Sequence, residues 1–147
     1  IYNQGGDLYI RQATTDKDLI FQCDDGSGAL ATYMSLDGGR ENVQFHRGIE
    51  YNVTGISDAN YSVESGDYII HYATLTSART VTIPSAQRAE GRVLIIKDGT
   101  GNAGMANITI QTQGEEHIDG VDTKVINSAY GSVTLYCDHL LTDWFTI

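Results

Sequence analysis

Short runs of β-branched and aromatic residues extend over the whole chain, and this feature limits the possible folds more than any other. Thr, Val, Ile and Tyr cluster in these runs, which are separated by Gly, Asp, Asn and Ser. Only residues 85–90 suit a helical turn, and the segment is too short to form a stable helix by itself. The sequence therefore predicts an all-β protein.

The predicted strands recur at regular spacing with turn residues between them, which is typical of a sandwich or a barrel. They are residues 7–13, 18–23, 32–36, 49–54, 68–73, 80–83, 92–97, 107–112, 124–126, 132–137 and 144–147. Residues 93–96 are apolar on both faces, so we expect a central strand there. Pro84 is expected to end the strand that precedes it.

A change in composition near Gly48 divides the chain into a slender neck, residues 1–48, and a β-sandwich-like head, residues 49–147. Asp and Gly residues at 24–28 and 37–39 predict hairpin turns within the neck. Because the neck has few large apolar residues, we expect its strands to fold only when other chains cover them.

Charge and hydropathy exclude two classes of partner. The net charge is −10, with 19 acidic residues against nine Lys and Arg, so binding to nucleic acid is not expected. The longest apolar run, residues 93–96, is far too short to enter a membrane. Because the chain begins at Ile1 without a recognisable leader, we expect a fragment of a longer protein. Cys23 and Cys137 are expected to be small buried side chains with free thiols.

Two groups of motifs resemble phage tail fibres, those of marine phages especially. In the first part, DKDLIF at 16–21, DDGSG at 24–28 and YMSLDG at 33–38 resemble the neck or shaft repeat of such fibres. The motifs of the second part resemble the C-terminal head. They are VTIP at 81–84, GRVLIIKD at 91–98, NITI at 107–110, IDG at 118–120, SVTL at 132–135 and DW at 143–144.

The resemblance implies a homotrimer that is assembled in the host cytoplasm, joins the rest of the tail fibre and belongs to the virion. It implies adhesion to a cell-surface polysaccharide or an outer-membrane protein, without catalysis and without a cofactor. Two alternatives stay open: a polysaccharide depolymerase, and a purely structural trimerisation cap. A depolymerase of the usual kind has a long β-helix of stacked repeats, and no repeat of fixed period is visible here.

The densest acidic group consists of Glu115, Glu116, Asp119 and Asp122. Such a group would suit Ca²⁺ or the acid and base of a glycosidase. The spacing does not match a calcium-binding loop, so solvated turn carboxylates are the preferred interpretation.

A glycine-rich segment, residues 98–104, is predicted to be a hairpin turn, because a phosphate-binding loop would need a following Lys. In a trimer, His46 or His71 near the axis would be repeated three times and would suit a metal ion. A hydrogen-bonded or surface role is the favoured interpretation of both histidines.

Receptor binding is expected in loops at the end of a rigid β scaffold. The candidate loops are residues 98–104, 113–122, 127–131 and 138–143. Within them we select Asn102, Tyr130 and His139 as receptor-binding residues, because an amide, an aromatic face and an imidazole suit sugars. The alternative is that Asn102 shapes a turn, and that Tyr130 and His139 pack between protomers.

Overall fold

A computed structural model describes residues 1–147 and confirms that the protein is all-β. It has fourteen strands, and the single helical element is a three-residue 3₁₀ turn at Ser85–Gln87. No helix of the protein has the length and apolar character that crossing a bilayer requires. The chain divides into two compact units, Ile1–Glu50 (unit 1) and Tyr51–Ile147 (unit 2).

Unit 1 is built from antiparallel hairpins. Strands β1 (Tyr2–Gln4) and β2 (Asp7–Tyr9) pair with each other, and β3 (Leu19–Asp24), β4 (Leu30–Asp37) and β5 (Asn42–Phe45) form a second sheet. The predicted turns at 24–28 and 37–39 are confirmed, since they join β3 to β4 and β4 to β5. Strands β1 and β5 were not predicted, and the strand predicted at 7–13 ends at Tyr9.

The register of β3, β4 and β5 places six apolar side chains on one face of the sheet. Directly paired residues of antiparallel strands share a face, and residues two apart on a strand do so as well. We call this set the Phe45 face; its members are Leu19, Leu36, Val43, Phe21, Met34 and Phe45. The opposite face of the same sheet carries Ile20, Ser35 and Gln44.

Very little of unit 1 is buried. Ala31 and Ser35 are its only buried residues, which confirms that this part of the chain is poor in core. The prediction that Cys23 is a buried side chain is wrong: Cys23 is exposed, because unit 1 has no interior for it to enter.

Unit 2 contains two sheets. The five-stranded sheet has the order β14-β13-β10-β8-β6, and the four-stranded sheet has the order β12-β11-β9-β7. The strands are β6 (Val53–Ser57), β7 (Tyr61–Ser62), β8 (Ile69–Thr74), β9 (Arg79–Ile83), β10 (Val93–Asp98), β11 (Ile108–Thr112), β12 (Thr123–Ile126), β13 (Ser132–Cys137) and β14 (Trp144–Thr146). Strand β7 was not predicted, and the strand predicted at 49–54 begins only at Val53.

From β6 to β11 the chain alternates between the two sheets, one strand at a time. Strands β6, β8 and β10 run parallel in one sheet, and β7, β9 and β11 run parallel in the other. Each strand of one sheet and the next strand of the other, β6 with β7, β8 with β9 and β10 with β11, therefore form one coil, and the three coils stack. The antiparallel strands β12, β13 and β14 complete the sheets. The predicted hairpin at 98–104 is wrong, because β10 pairs with β8 and β13 and the segment carries the chain to the other sheet.

One apolar cluster unites the two sheets of unit 2. It includes Ile70 and Leu94 of the five-stranded sheet and Val81 and Ile110 of the four-stranded sheet. Strand β10 is the third of five strands, which confirms the prediction of a central strand at 93–96. Cys137 is buried as expected, Trp144 is buried as well, and Pro84 directly follows the end of β9.

Candidate functional site

A cleft of about 480 Å³, lined mostly by residues with polar or charged side chains, lies beside the loop that follows β11. We call it the Glu116 cleft; it is lined by Ser85, Arg88, Gly114, Glu115, Glu116, His117, Thr142 and Asp143. A smaller depression of about 200 Å³ shares residues 114–117 and continues to Gln111, Asp122 and Thr123. The structure thus brings together two of the predicted binding loops, 113–122 and 138–143.

The strand that begins at Trp144 holds these two loops against each other. The backbone N–H of His117 donates to Asp143 Oδ1 at 2.6 Å, and the backbone N–H of Trp144 donates to His117 O at 2.9 Å. Asp119 N donates to Trp144 O at 2.9 Å, and the Trp144 side chain is buried in the core. The geometry of the cleft is therefore fixed by the core of unit 2.

Glu116 is the buried carboxylate of the cleft. Its Oε1 lies 3.2 Å from Arg88 Nε, and its Oε2 accepts a hydrogen bond from Gly114 N at 3.0 Å. Burial by itself would raise the pKa of Glu116, but the hydrogen bond from Ser85 and the charge of Arg88 outweigh it and hold the pKa below its ordinary value. The prediction that the whole acidic group is solvated is therefore wrong for Glu116, because the loop folds this side chain inward.

Asp119 has a structural role next to the cleft. Its carboxylate accepts hydrogen bonds from Lys124 Nζ at 2.8 Å and from Thr146 N and Oγ1 at 3.0 and 2.7 Å. The bond from Lys124, followed by those from Thr146, lowers the pKa of Asp119 to about 2. The other two acidic residues of the group, Glu115 and Asp122, are exposed, as predicted.

His117 lies between two carboxylates. Its Nδ1 is 3.5 Å from Asp143 Oδ1, and its Nε2 is 3.6 Å from Asp122 Oδ1. No group of three or more His, Cys, Asp and Glu side chains has the geometry of a metal site. A general acid requires a carboxyl with a raised pKa, whereas the hydrogen bond from Ser85 and the charge of Arg88 hold the pKa of Glu116 below its ordinary value. The cleft is suited to hydrogen bonding with a hydroxylated ligand.

Two of the selected residues, Asn102 and Tyr130, lie near the carboxylate of Asp98 at the end of β10. Asp98 is fully buried and accepts hydrogen bonds from Thr100 N at 2.8 Å, Ala103 N at 3.0 Å and Tyr130 N at 3.1 Å. Burial alone would raise the pKa of Asp98, but these hydrogen bonds outweigh it and lower the pKa to about 2. Asp98 thus fixes the backbone around both selected residues.

Tyr130 presents an aromatic ring that is 62% exposed, as expected for a residue outside the core. Its φ of +56° is rare for a residue with a side chain, and the bond to Asp98 helps to hold it. The ring lies against Gly101, where an added methyl group would come within 2.8 Å of ring carbon Cζ. Asn102 Nδ2 donates to Leu75 O at 3.0 Å, so one end of this amide is engaged by the fold.

His139 is distant from Asn102 and Tyr130. Tyr130 precedes β13 and His139 follows it, so the length of a six-residue strand, about 20 Å, separates them. The three selected residues therefore do not meet around one ligand within a single chain. Asn102 and Tyr130 form one surface, which we call the Tyr130 surface, and His139 belongs to the side of the Glu116 cleft.

The other two histidines have partners in the fold. His46 Nε2 lies 2.9 Å from the hydroxyl of Ser35 in unit 1. In unit 2, the ring of His71 packs against the backbone of Gly99. The contact of His46 agrees with its interpretation as a hydrogen-bonded side chain, whereas His71 is half-buried against Gly99 and does not lie at the surface.

Sequence reasoning missed Ser85 and Arg88 as lining residues, and it did not single out Thr142 within the predicted loop 138–143. Each is an ordinary polar residue, and only the tertiary fold brings it to Glu116. A signal did exist for Asp98, because Asp followed by Gly and Thr is typical of a turn in which the carboxylate binds nearby backbone N–H groups.

No protein-family model matches this chain and no curated protein matches it, so the likeness to phage tail fibres rests on the sequence motifs alone.

Proposed function

We propose that this chain is the receptor-binding end of a phage tail fibre and that it acts as a homotrimer without catalytic activity. In this proposal unit 1 belongs to the slender neck, and unit 2 is a sandwich-like head in a closely packed trimer. The partners are the rest of the fibre and a host glycan or outer-membrane protein, and the site of action is the virion. The proposal joins the motif resemblance to the burial pattern of unit 1.

The observation that carries the proposal is the absence of a core in unit 1. Only Ala31 and Ser35 are buried among its fifty residues, although its strands carry large apolar side chains. A sheet has to bury its apolar face against another layer to be stable. Further copies of the chain would supply that layer, as in a fibre.

Two surfaces of unit 2 are suited to adhesion. The Tyr130 surface offers an exposed aromatic ring on a backbone held by Asp98, and aromatic faces stack on sugars. The Glu116 cleft offers hydroxyls and carboxylates, which bind sugar hydroxyls. In a trimer each weak site would occur three times, so avidity would strengthen attachment.

Binding of the labelled protein to a glycan array and to a panel of bacterial cells tests the proposal. Mass measurement by light scattering should give three times the 16.0 kDa of one chain. We expect Tyr130→Ala to abolish cell binding while mass and heat stability stay unchanged. Asn102→Ala should lower heat stability as well as binding, because Asn102 Nδ2 donates to Leu75 O. His139→Ala is tested separately because it lies on the other side of unit 2. If none of these variants alters binding, the assignment of these residues is wrong.

Two observations favour the alternative of a depolymerase. Parallel strands stack in coils, and four carboxylates surround the Glu116 cleft and its extension: Glu115, Glu116, Asp122 and Asp143. The surroundings of Glu116 oppose a role as general acid for this residue, because the hydrogen bond from Ser85 and the charge of Arg88 hold its pKa below the ordinary value. Release of reducing ends from capsule polysaccharide, lost in Glu116→Gln, would establish the alternative. A trimer that binds neither cells nor glycans would instead support the structural cap.

A further inference from the structure

Lys97 is the cation of unit 2 that the fold leaves free for a ligand. Three of the other cations form ion pairs, Arg79 with Asp58 at 3.1 Å, Arg88 with Glu116 at 3.2 Å and Lys124 with Asp119 at 2.8 Å. Arg92 donates to the backbone carbonyls of Gln87 and Glu64 at 3.0 and 2.6 Å. Lys97 Nζ donates to the carbonyl of Tyr130 alone, and no carboxylate pairs with it. In a chain of net charge −10, an unpaired cation is a distinctive feature that suits an anionic ligand.

The side chain of Lys97 points away from the core of unit 2. Successive side chains of a strand alternate between the two faces of a sheet. Ile96 and Asp98, on either side of Lys97, are fully buried in the core, whereas Lys97 is half-buried and its hydrogen bond to Tyr130 lies at the surface. The register of the five-stranded sheet pairs Lys97 with His71 of β8 and with Ser132 of β13. The neighbours of Lys97 on this face of the sheet therefore include no carboxylate.

Two consecutive residues of β10 hold the backbone of Tyr130. Lys97 Nζ donates to the carbonyl oxygen of Tyr130, and the N–H of Tyr130 donates to Asp98 Oδ2 at 3.1 Å. The Tyr130 ring lies against Gly101 on one side and is 62% exposed. An ammonium group has three donors and Lys97 uses one of them, so the other two are free. The structure thus fixes an exposed aromatic ring next to an ammonium group with unused donors.

We propose that Lys97 and Tyr130 together bind a sugar that carries a carboxylate, so that the receptor is an acidic glycan. The Tyr130 ring stacks on the C–H groups of the sugar ring, and Lys97 donates to the carboxylate. Asn102 Nδ2 donates to Leu75 O, so Asn102 Oδ1 is left to accept from a sugar hydroxyl. This inference rests on the proposed adhesive function and adds to it the chemical class of the receptor.

The combination of an aromatic ring and a cation favours an acidic sugar over an acidic protein. An Asp or Glu side chain offers a carboxylate without a flat apolar face, whereas a sugar acid has both on one ring. The Glu116 cleft would repel the same sugar, because Glu115 and Asp122 are exposed there and neither pairs with a Lys or Arg. At physiological ionic strength the Debye length is about 8 Å, so the distant carboxylates of the chain oppose the contact at Lys97 only weakly.

The wild-type protein tests the inference without any variant. The probe is surface polysaccharide from a bacterium that the protein binds, in its native form and after reduction of its carboxyl groups to alcohols. We expect the native form to bind at least tenfold more tightly than the reduced form. Equal binding of the two forms, or binding of neither because the receptor is a protein, would overturn the inference and leave the adhesive function intact. A protein that binds no bacterium of the panel would overturn both.

Substitutions separate the charge of Lys97 from its hydrogen bond to Tyr130. Lys97→Gln keeps an N–H donor without the charge, and we expect it to weaken binding of the native polysaccharide at least tenfold while binding of the reduced form stays the same. Lys97→Arg keeps the charge and should bind within threefold of the wild type. Lys17→Gln is the matched control, because it removes the charge of an exposed lysine of unit 1. Emission of Trp144, the only tryptophan, reports whether unit 2 remains folded. A folded Lys97→Gln variant with wild-type affinity for the native polysaccharide would overturn the inference.

Discussion

The backbone N–H of Tyr130 donates to Oδ2 of Asp98 at 3.1 Å, which ties the residue before β13 to the end of β10. Ala103 N binds the same oxygen at 3.0 Å, and Oδ1 accepts from Thr100 and Gly101. One buried carboxylate therefore connects the central strand, the crossing segment between the two sheets and the exposed aromatic ring.

Asp98→Asn should destabilise unit 2 by about 3 kcal/mol, because an amide presents N–H groups to backbone N–H donors. The free energy of unfolding is measured in urea by Trp144 emission. Asp122→Asn is the matched control, since its side chain is 93% exposed, and it should change stability by less than about 0.5 kcal/mol. Equal stability of the two variants would contradict the role of Asp98.

Stability should fall when the pH drops from about 4 towards 2. The pKa of Asp98 and that of Asp119 are each about 2 in the folded chain, against an ordinary value of 3.8. A lowered pKa means that the folded state favours the ionised form, so this stability is complete above pH 4 and is lost through the folded pKa. Urea midpoints at pH 7, 4 and 3 should show this loss of stability, and the loss should be smaller in the Asp119→Asn variant. A midpoint constant over this range would contradict the prediction.

Gly99→Ala should destabilise unit 2, because the added methyl group would lie 1.7 Å from Nε2 of His71. Overpacking of this kind costs about 1–3 kcal/mol. His71→Ala should remove the clash, so the double variant should be more stable than the sum of the single effects predicts. Additive effects in a thermal melt would show that the His71 ring has room to move.

Arg88→Ala should raise the pKa of Glu116 and lower stability by about 1 kcal/mol, since the carboxylate keeps its buried position without its cation. Adding Glu116→Gln should restore part of the loss. Glu115→Gln is the control, because this neighbouring carboxylate is exposed. If Arg88→Ala and Glu115→Gln give the same urea midpoint, the ion pair contributes nothing to stability.

The thiol of Cys137 should react with an alkylating reagent only when unit 2 opens. The side chain is 1% exposed, and burial raises the pKa of the thiol. In a Cys23→Ser background, the rate of labelling should rise at least a hundredfold in denaturant, as followed by intact mass. Rapid labelling of the native protein would show that β13 opens easily.

Strand positions could be predicted because they depend on local patterns. Val81 and Ile83 alternate with Thr80 and Thr82, and the turn residues that bound such runs are visible in the sequence. Strand β7 was missed because two residues form no pattern, and β5 because Asn42 and Gln44 weaken its pattern.

Strand partners could not be predicted from the same patterns. Val81 pairs with Ile110 in a parallel register, but its alternation would look the same in an antiparallel hairpin. For the same reason, the buried carboxylate of the candidate site could not be predicted from the sequence. Glu115 and Glu116 are chemically alike in the sequence, and only the approach of Arg88 and the fold of the loop distinguish the buried carboxylate from the exposed one.

The alternation of the chain between two sheets has a consequence for the order in which the protein folds. Unit 1 contains hairpins, whose strands meet as soon as each turn has been synthesised. Strands β6 to β10 have no such neighbours, because each pairs only with strands at least one whole coil away. Contacts between residues distant in sequence form slowly, and one edge of β10 stays unpaired until β13 has been synthesised. We expect unit 2 to remain open on the ribosome until Trp144 has emerged, and then to close in one cooperative step.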